Sequence, residues 1–507
     1  MSDYSKDLKV KIFGITTGKS ICILNKIDAK DFGLFTGDRV ELYNKRSKKR
    51  AVGVIDITAN ELKSGQIGLF EDIAATLSAK EKDLIDTKVT KSLKSLDFIK
   101  KKMDGKKLTN EEVVEIVKDI TDDRLTDVEA SAFIAAIYMK GLDLDETVYM
   151  TKALINNGNK ISFDVTPVVD KHSVGGVNGR ATMVIIPIIA SAGLYMPKTS
   201  SRSITSSAGT ADAMEVLAPV DLDFNKIKEI TKKVGGVIAW GGAVDLAPAD
   251  DKIIKLEHPL SLDPEGQVIA SVLAKKASVG SKYVVIDLPV GPQVKIKDQK
   301  TALRMAEKFV HVGKEIGMEV DAVITDGTEP SGLAFGPALE AKYALEILEG
   351  KRFDNLAQKS CECAGAVLEL AKKVKVGKGY EAARVILESG KALAKMKEII
   401  KAQGGKIFSS EDIKLAKYKK EIFAKENGVI QEFNIKLLTK AARLAGAPAD
   451  KTAGILLSKT VGEKIGRNEL LLTIYAENKQ KLEVATEFIE QNCPVTFKKI
   501  IIQTIRD

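Results

Sequence analysis

Residues 170–212 read DKHSVGGVNGRATMVIIPIIASAGLYMPKTSSRSITSSAGTAD, and this stretch decides the fold. The apolar pair Val168-Val169 leads into Asp170-Lys171-His172-Ser173 and then Gly175-Gly176. An apolar helical run follows. After it comes a second loop, Lys198 to Gly209, built mostly of Ser and Thr around Arg202. Strand, glycine loop, helix, strand and polar loop is the pattern of a βα unit on a parallel sheet. Lysine, hydroxyls and glycine-exposed N–H groups at a strand-to-helix turn suit a tetrahedral dianion. Two such loops around one helix point to phosphate chemistry.

The alternation continues outward. Strand and helix patterns over 166–240 return in Tyr283-Val-Val-Ile-Asp287 and Val320-Asp-Ala-Val-Ile324. They predict a central α/β domain on a mixed, largely parallel sheet, in two parts, 166–247 and 281–405. The intervening residues 248–280 read as helical, with the apolar run Val268 to Ala274. They are expected to complete a helical domain begun at 89–165. Thr109-Asn-Glu-Glu112 and Thr126-Asp-Val-Glu129 are capping boxes opening amphipathic helices, and Asp145-Glu146 opens a third. A discontinuous helical domain implies two crossing connections, a hinge, and a ligand cleft between lobes.

Residues 1–88 alternate as short strands between Gly and Asp turns, as in a small β-barrel. Residues 406–507 read as an α+β domain, with strands at 428–433, 453–457 and 469–475 and a helix at 436–445. No internal repeat and no low-complexity linker is evident. Gly14-Ile-Thr-Thr-Gly18-Lys19-Ser20 looks like a phosphate loop, but its glycine spacing is one residue short and an apolar strand pattern follows it. A P-loop is rejected.

Composition sets the outer bounds. The chain has 507 residues, 44% hydrophobic and 29% charged, as in a globular protein of several domains. The most apolar stretch, 183–196, is too short for a membrane span, and no signal-peptide core is visible, so a cytoplasmic protein is expected. The four cysteines and three histidines are too scattered for a metal or redox centre. The net charge of +9 suits anionic ligands. The basic runs at 45–50 and 100–102 read as a solvated hairpin tip and helix end. With 5% aromatic residues there is little material for stacking bases, and neither nucleic acid nor membrane is an expected partner.

Lys171-His172-Ser173-Val-Gly175-Gly176 and the Ser/Thr loop resemble the thymidine/pyrimidine-nucleoside phosphorylase family, most closely its archaeal branch. The resemblance runs from about residue 90 to the end. It includes Asp326-Gly-Thr-Glu-Pro-Ser-Gly332, Gly336-Pro-Ala-Leu-Glu340 and Leu444-Ala-Gly-Ala447. It implies reversible phosphorolysis, in which inorganic phosphate attacks the ribose C1′ and the base departs. For the archaeal branch the implied substrates are nucleoside 5′-monophosphates (AMP, with CMP and UMP as further candidates), giving ribose 1,5-bisphosphate.

By position, the resemblance puts Lys171, Ser173, Thr182, Ser200 and Thr210 on the attacking phosphate. It puts Gly175, Ser201, Arg202, Ser203, Ile204, Thr205, Ser206, Thr210, Ser271 and Lys295 on the nucleotide, and makes Asp263 the proton donor. No metal and no cofactor are implied. The barrel resembles the extra domain through which archaeal members assemble, so a homodimer or higher homo-oligomer is expected. Two departures stand out. Ile253 and Leu256 replace the Tyr and Arg that read a pyrimidine ring, and Val177-Asn-Gly-Arg180 differs from the Val-Pro-Gly-Asn of the archaeal branch.

The chemistry fits these residue types. Phosphorolysis needs no enzyme nucleophile, only positioning of phosphate at C1′ and help for the leaving base. Two polyanions on one sugar repel, and Lys171, Arg202 and Lys295 are cations available to offset that. Asp263 could donate a proton only if burial or nearby negative charge raised its pKa. Taken alone, Asp263-Pro264 is equally a helix start, Lys297 could replace Lys295, Arg180 could hold phosphate or face solvent, and His172 could be structural. The rival readings are a nucleoside phosphorylase with no use for a 5′-phosphate, a magnesium-dependent phosphoribosyltransferase, and a non-enzymatic nucleotide-binding assembly protein.

Overall fold

Alternating apolar residues close the N-terminal segment into a barrel. The computed structural model, which describes residues 4–90, 93–175, 180–203, 206–244 and 246–498, shows six strands there. They are Ser5–Phe13 (β1), Ile21–Asn25 (β2), Arg39–Asn44 (β3), Arg50–Thr58 (β4), Gln66–Phe70 (β5) and Leu84–Val89 (β6), closed in the order β1-β5-β2-β4-β3-β6. Leu8, Val10, Leu24, Val40, Leu42, Ile55, Ile67, Leu69 and Ile85 fill it, as the period-2 pattern requires. Helices Lys26–Phe32 (α1) and Glu71–Thr76 (α2) follow β2 and β5.

The barrel is an internal repeat, which corrects the expectation of none. A shift of 45 residues carries the parallel pair Ile21–Val54 onto Gln66–Lys9, with the partners exchanged. The same shift carries Gly37 N→Ile55 O onto Lys82 N→Val10 O, both 2.9 Å. It also carries the Asp38 carboxylate, capping Phe35 N at 2.7 Å, onto Asp83, capping Lys80 N at 2.8 Å. Between residues 5–45 and 50–90, side chains are identical only at Ile12/Ile57, Leu24/Leu69, Ala29/Ala74 and Asp38/Asp83, so the repeat lives in main-chain pairing. The rejected P-loop lies here. Its Thr17 and Gly18 amides donate to the Asp72 carboxylate at 2.8 and 3.1 Å, and strand β2 follows it.

The chain divides into two compact units, Met1–Asn157 with Pro248–Val268, and Gly158–Ala247 with Ile269–Asp507. Besides the barrel, the first unit holds helices Lys94–Met103 (α3), Asn110–Thr121 (α4), Asp127–Lys140 (α5) and Leu144–Asn156 (α6). Both expected capping boxes form, and a third forms at Asp143/Glu146, two residues before the expected start. The basic run at 100–102 is not wholly solvated. Lys102 is buried with Nζ 2.6 and 2.7 Å from the Glu146 oxygens, because Glu146 faces inward from α6. Arg39 of β3 makes a two-pronged ion pair with Glu129, tying barrel to helices.

The second unit carries Val169–Ser173 (β7), Ala181–Ser191 (α7), Met196–Ser200 (β8), Thr210–Met214 (α8), Phe224–Val234 (α9) and Gly236–Trp240 (β9). After the helical excursion of Pro248–Glu257 (α10) and Glu265–Ser278 (α11) come Tyr283–Val290 (β10), Gln299–Glu315 (α12) and Glu319–Asp326 (β11). Helices Pro337–Leu348 (α13) and Asn355–Leu370 (α14) follow. Strands β11, β10 and β7 are parallel neighbours, β8 and β9 pair in parallel, and a bridge between Val168 and Tyr195 joins the two groups. The resulting order, β11-β10-β7-β8-β9, makes β7/β10 the topological switch point, where ligands of open α/β sheets gather at the carboxyl ends of the strands. Helix α7 is buried on nearly every side, which explains its largely apolar sequence.

In the C-terminal segment, strands Gly428–Phe433, Gly454–Leu457 and Leu470–Ala476 and helix Ile435–Leu444 lie within a residue of their expected places. Strand Tyr418–Phe423 and helix Lys479–Gln491 are additions that the sequence reading lacks. Among the described residues, no helix is long and apolar enough to cross a membrane.

Candidate active site

Strand β7 delivers Lys171 and Ser173 to the switch point. Lys171 is buried, and its Nζ lies 2.8 Å from Asp287 of β10, which stands opposite Ser173, two residues further along the strand. Burial works against the lysine charge, but the Asp287 carboxylate outweighs it and keeps Lys171 protonated. Burial alone would raise Asp287; Lys171 and Lys359 instead hold it well below the usual carboxylate range. Lys359 reaches it from α14 at 3.4 Å, and Thr325 of β11 donates to its other oxygen at 2.5 Å.

One residue back, Asp170 is fully buried between Lys198 at 3.0 Å and Lys276 of α11 at 2.7 Å. The cluster therefore sets four lysine side chains, Lys171, Lys198, Lys276 and Lys359, against two carboxylates, Asp170 and Asp287. An excess of positive charge in a low-dielectric site favours a bound dianion. Burial and the neighbouring Lys276, Lys198 and Lys171 push His172 well below its usual value, so it stays neutral and is a poor proton donor.

The glycine loop follows. Gly175 sits at φ +63°, and a Cβ there would lie 2.2 Å from Cγ of Lys295. The Lys295 side chain thus lies directly over Gly175, whereas Lys297 Nζ is tied to the Pro292 carbonyl at 2.7 Å. This favours Lys295 between the two candidates. Thr182 stands in the first turn of α7. Arg180 neither faces solvent nor points away from the loops: it pairs with buried Glu340 of α13 at 2.7 Å and donates to the Ala208 carbonyl of the second loop.

The second loop leaves β8 at Ser200 and enters α8 at Thr210. Asp212 of α8 accepts from the Ser203 and Gly209 amides, both at 2.7 Å, which folds the loop back on itself. The Ser206 hydroxyl donates to Ala208 O at 2.8 Å, and Arg443 donates to Ser206 O at 3.0 Å. Arg202 is already engaged. It makes two hydrogen bonds to Glu215 at 2.6 and 2.8 Å, approaches Asp221 at 3.2 Å, and lies 5.0 Å from the Trp240 ring centroid. Ser201 is exposed at the loop's start. Ile204 and Thr205 lie outside the described residues, as do Gly176 and the Val177-Asn178-Gly179 segment.

Lys171, Ser173, Gly175, Thr182, Lys295 and the second loop thus belong to the second unit, with Ser271 half-buried on α11. Asp263 belongs to the first, exposed just ahead of buried Pro264 and α11. Ile253 is fully buried within α10. Sequence reasoning missed Asp287, Lys198, Lys276, Lys359, Glu340 and Arg443. The one legible sign among them was Asp287, an acid set within the apolar run of β10. A cavity of about 880 Å³ lies among Phe423, Leu471, Ile489 and Phe497 of the C-terminal segment, and no residue of either loop lines it.

Three family models match in order along the chain. They are the helical bundle domain of a glycosyl transferase family over 96–158, its a/b domain over 165–393, and the pyrimidine nucleoside phosphorylase C-terminal domain over 429–496. AMP phosphorylase of Methanococcoides burtonii is 43% identical over 502 residues, covering 98% of this chain and 99% of its own. The chain belongs to the AMP phosphorylase family. A second member, AMP phosphorylase 1 of Archaeoglobus fulgidus, is 43% identical over 96% of both chains. The family fold extends further. Anthranilate phosphoribosyltransferase from Thermus thermophilus superposes with TM-score 0.53 over 61% of this chain and 100% of its own, at 18% identity.

Proposed function

We propose that this member of the AMP phosphorylase family catalyses phosphorolysis of nucleoside 5′-monophosphates, AMP first and CMP and UMP as further substrates, to free base and ribose 1,5-bisphosphate. The observation that carries the reading is the cationic excess under β7, joined to two loops of hydroxyl and amide donors. Lys171, Ser173, Thr182, Ser200 and Thr210 hold the attacking phosphate. Gly175, residues 201–206, Thr210, Ser271 and Lys295 hold the nucleotide. The second loop contributes mainly hydroxyls and backbone amides, with Arg202 shaping it through Glu215.

Phosphate, held in line, attacks C1′ as the C1′–N bond breaks, and the electron pair leaves with the base. Asp263 supplies the proton that the base takes up. Its side chain is exposed, so the desolvation this role calls for has to come from the bound nucleotide. The same reading places the enzyme in the cytoplasm, in line with four free thiols, three of them buried. It also makes the enzyme a homodimer or larger homo-oligomer, which exposed Val128, Tyr138 and Met139 on α5 support.

The deciding experiment compares base release from AMP and from adenosine, with and without inorganic phosphate. Phosphate-dependent release from AMP and little from adenosine is the expected result. Equal rates would make it a nucleoside phosphorylase, and release that needs magnesium and pyrophosphate a phosphoribosyltransferase. Light scattering of the purified chain tests the oligomer.

A further inference from the structure

Strands β7 and β8 carry the two loops, yet they are joined along one edge by little. The bridge at Val168–Tyr195 holds them at their amino ends, with Val169 N→Tyr195 O at 2.8 Å and Tyr195 N→Pro167 O at 3.2 Å. Beyond it, no further main-chain pairing joins β7 to β8 among the described residues. At that level the Lys198 ammonium crosses from β8. It donates to the Lys171 carbonyl at 2.6 Å and to Asp170 Oδ1 at 3.0 Å. A side-chain cation thus fills the acceptor that a continued ladder would have filled with an amide.

The placement matters because both strands end at the site. Ser173 ends β7, two residues beyond Lys171, and Ser200, two residues beyond Lys198, ends β8. Asp170 has a second cation besides Lys198, since Lys276 holds its other oxygen at 2.7 Å. What Lys198 uniquely supplies is a fixed distance between the two strands where they splay.

We infer that Lys198 is a positioning residue whose ammonium group sets the spacing of the two loops and thereby governs affinity for inorganic phosphate without touching it. This rests on the reading that both loops hold phosphate. The groups facing Lys198 are Asp170, Lys276, Lys171 and His172; burial, with Lys276 adding to it against Asp170, brings its pKa down to about 7. Its charge is therefore present below neutrality and lost above it.

The test compares wild type, Lys198→Met and Lys198→Arg in AMP phosphorolysis. In Lys198→Met, KM for phosphate is expected to rise about tenfold or more, while kcat at saturating phosphate and KM for AMP change far less. Lys198→Arg keeps a charged donor at every working pH. The ratio of wild-type to Lys198→Arg kcat/KM for phosphate, in which phosphate's own titration cancels, should fall as pH rises through about 7. If Lys198→Met does not fold, this ratio alone decides. An unchanged phosphate KM in folded Lys198→Met, or a flat ratio, overturns the inference. A wild type that releases no base from AMP with phosphate would instead overturn the functional reading beneath it.

Discussion

Lys171 and Asp287 face each other at 2.8 Å across neighbouring parallel strands, one a proposed phosphate contact and the other its fixed counter-charge. Their roles separate by substitution. Lys171→Met should lower kcat/KM for phosphate by about a hundredfold or more, as expected for loss of a charged donor from a partly dry site. Asp287→Asn leaves buried Lys171 and Lys359 without a shared carboxylate and should cost about 3–5 kcal/mol of stability. Because Asp287 is held below its unfolded value, its contribution is complete above about pH 4 and is lost only as pH falls further. Thermal unfolding followed between pH 8 and pH 3 checks both statements. A stability difference between wild type and Asp287→Asn that shrinks at neutral pH would contradict them.

Gly175→Ala forces a side chain into the left-handed region and into the Lys295 stem, 2.2 Å away. Backbone strain of about 1–2 kcal/mol is expected, with Lys295 displaced. KM for AMP should rise in Gly175→Ala and in Lys295→Ala, and the double variant should show much less than the sum, because both changes remove one contact. A kinetic double-mutant cycle reads this; full additivity would mean that Lys295 does not act from above the glycine loop.

Much of this was legible in the sequence wherever local rules decide. Thr109/Glu112 and Thr126/Glu129 form their boxes because a cap is a four-residue affair. The run of apolar residues in β10 and α7 could be read because burial on all sides leaves a nearly continuous apolar pattern, interrupted in β10 by Asp287. What was hidden is non-local. Asp287 lies 116 residues from Lys171, and nothing in the sequence pairs them. The barrel repeat escaped because its two halves share backbone register rather than side chains, down to Asp28 in one half, a buried carboxylate accepting from Gly65 N, where the other has Ile73 in the core.

Asp263→Asn keeps the shape of the side chain and removes its acid. Nucleotide binding measured by calorimetry should stay within a few-fold of wild type, while kcat for AMP falls by about 10²–10⁴, the range of a lost general acid. A substrate whose base departs without a proton should be affected far less. Near-normal turnover of AMP by Asp263→Asn would return that role to another group, and His172, held neutral among lysines, is poorly suited to take it.

Glu129 does two jobs at the start of α5, and they can be taken apart. Its Oε2 accepts from Thr126 N at 2.8 Å and from the Thr126 hydroxyl at 2.9 Å, closing the capping box, while Arg39 of the barrel grips both its oxygens. Burial by itself would raise the Glu129 carboxyl, but Arg39 and the Thr126 donors hold it below its ordinary value. The gain is therefore present above the ordinary glutamate range and lost as pH falls through it. Glu129→Gln can still serve the cap and loses only the ion pair; Glu129→Ala loses both. Amide exchange along α5 in the full chain should speed up modestly in the first and more in the second, the step between them matching about 1 kcal/mol for a lost cap. Arg39→Ala should match Glu129→Gln, since it breaks the same pair from the other side. Wild-type protection in both Glu129→Gln and Arg39→Ala would show that the barrel does not brace this helix.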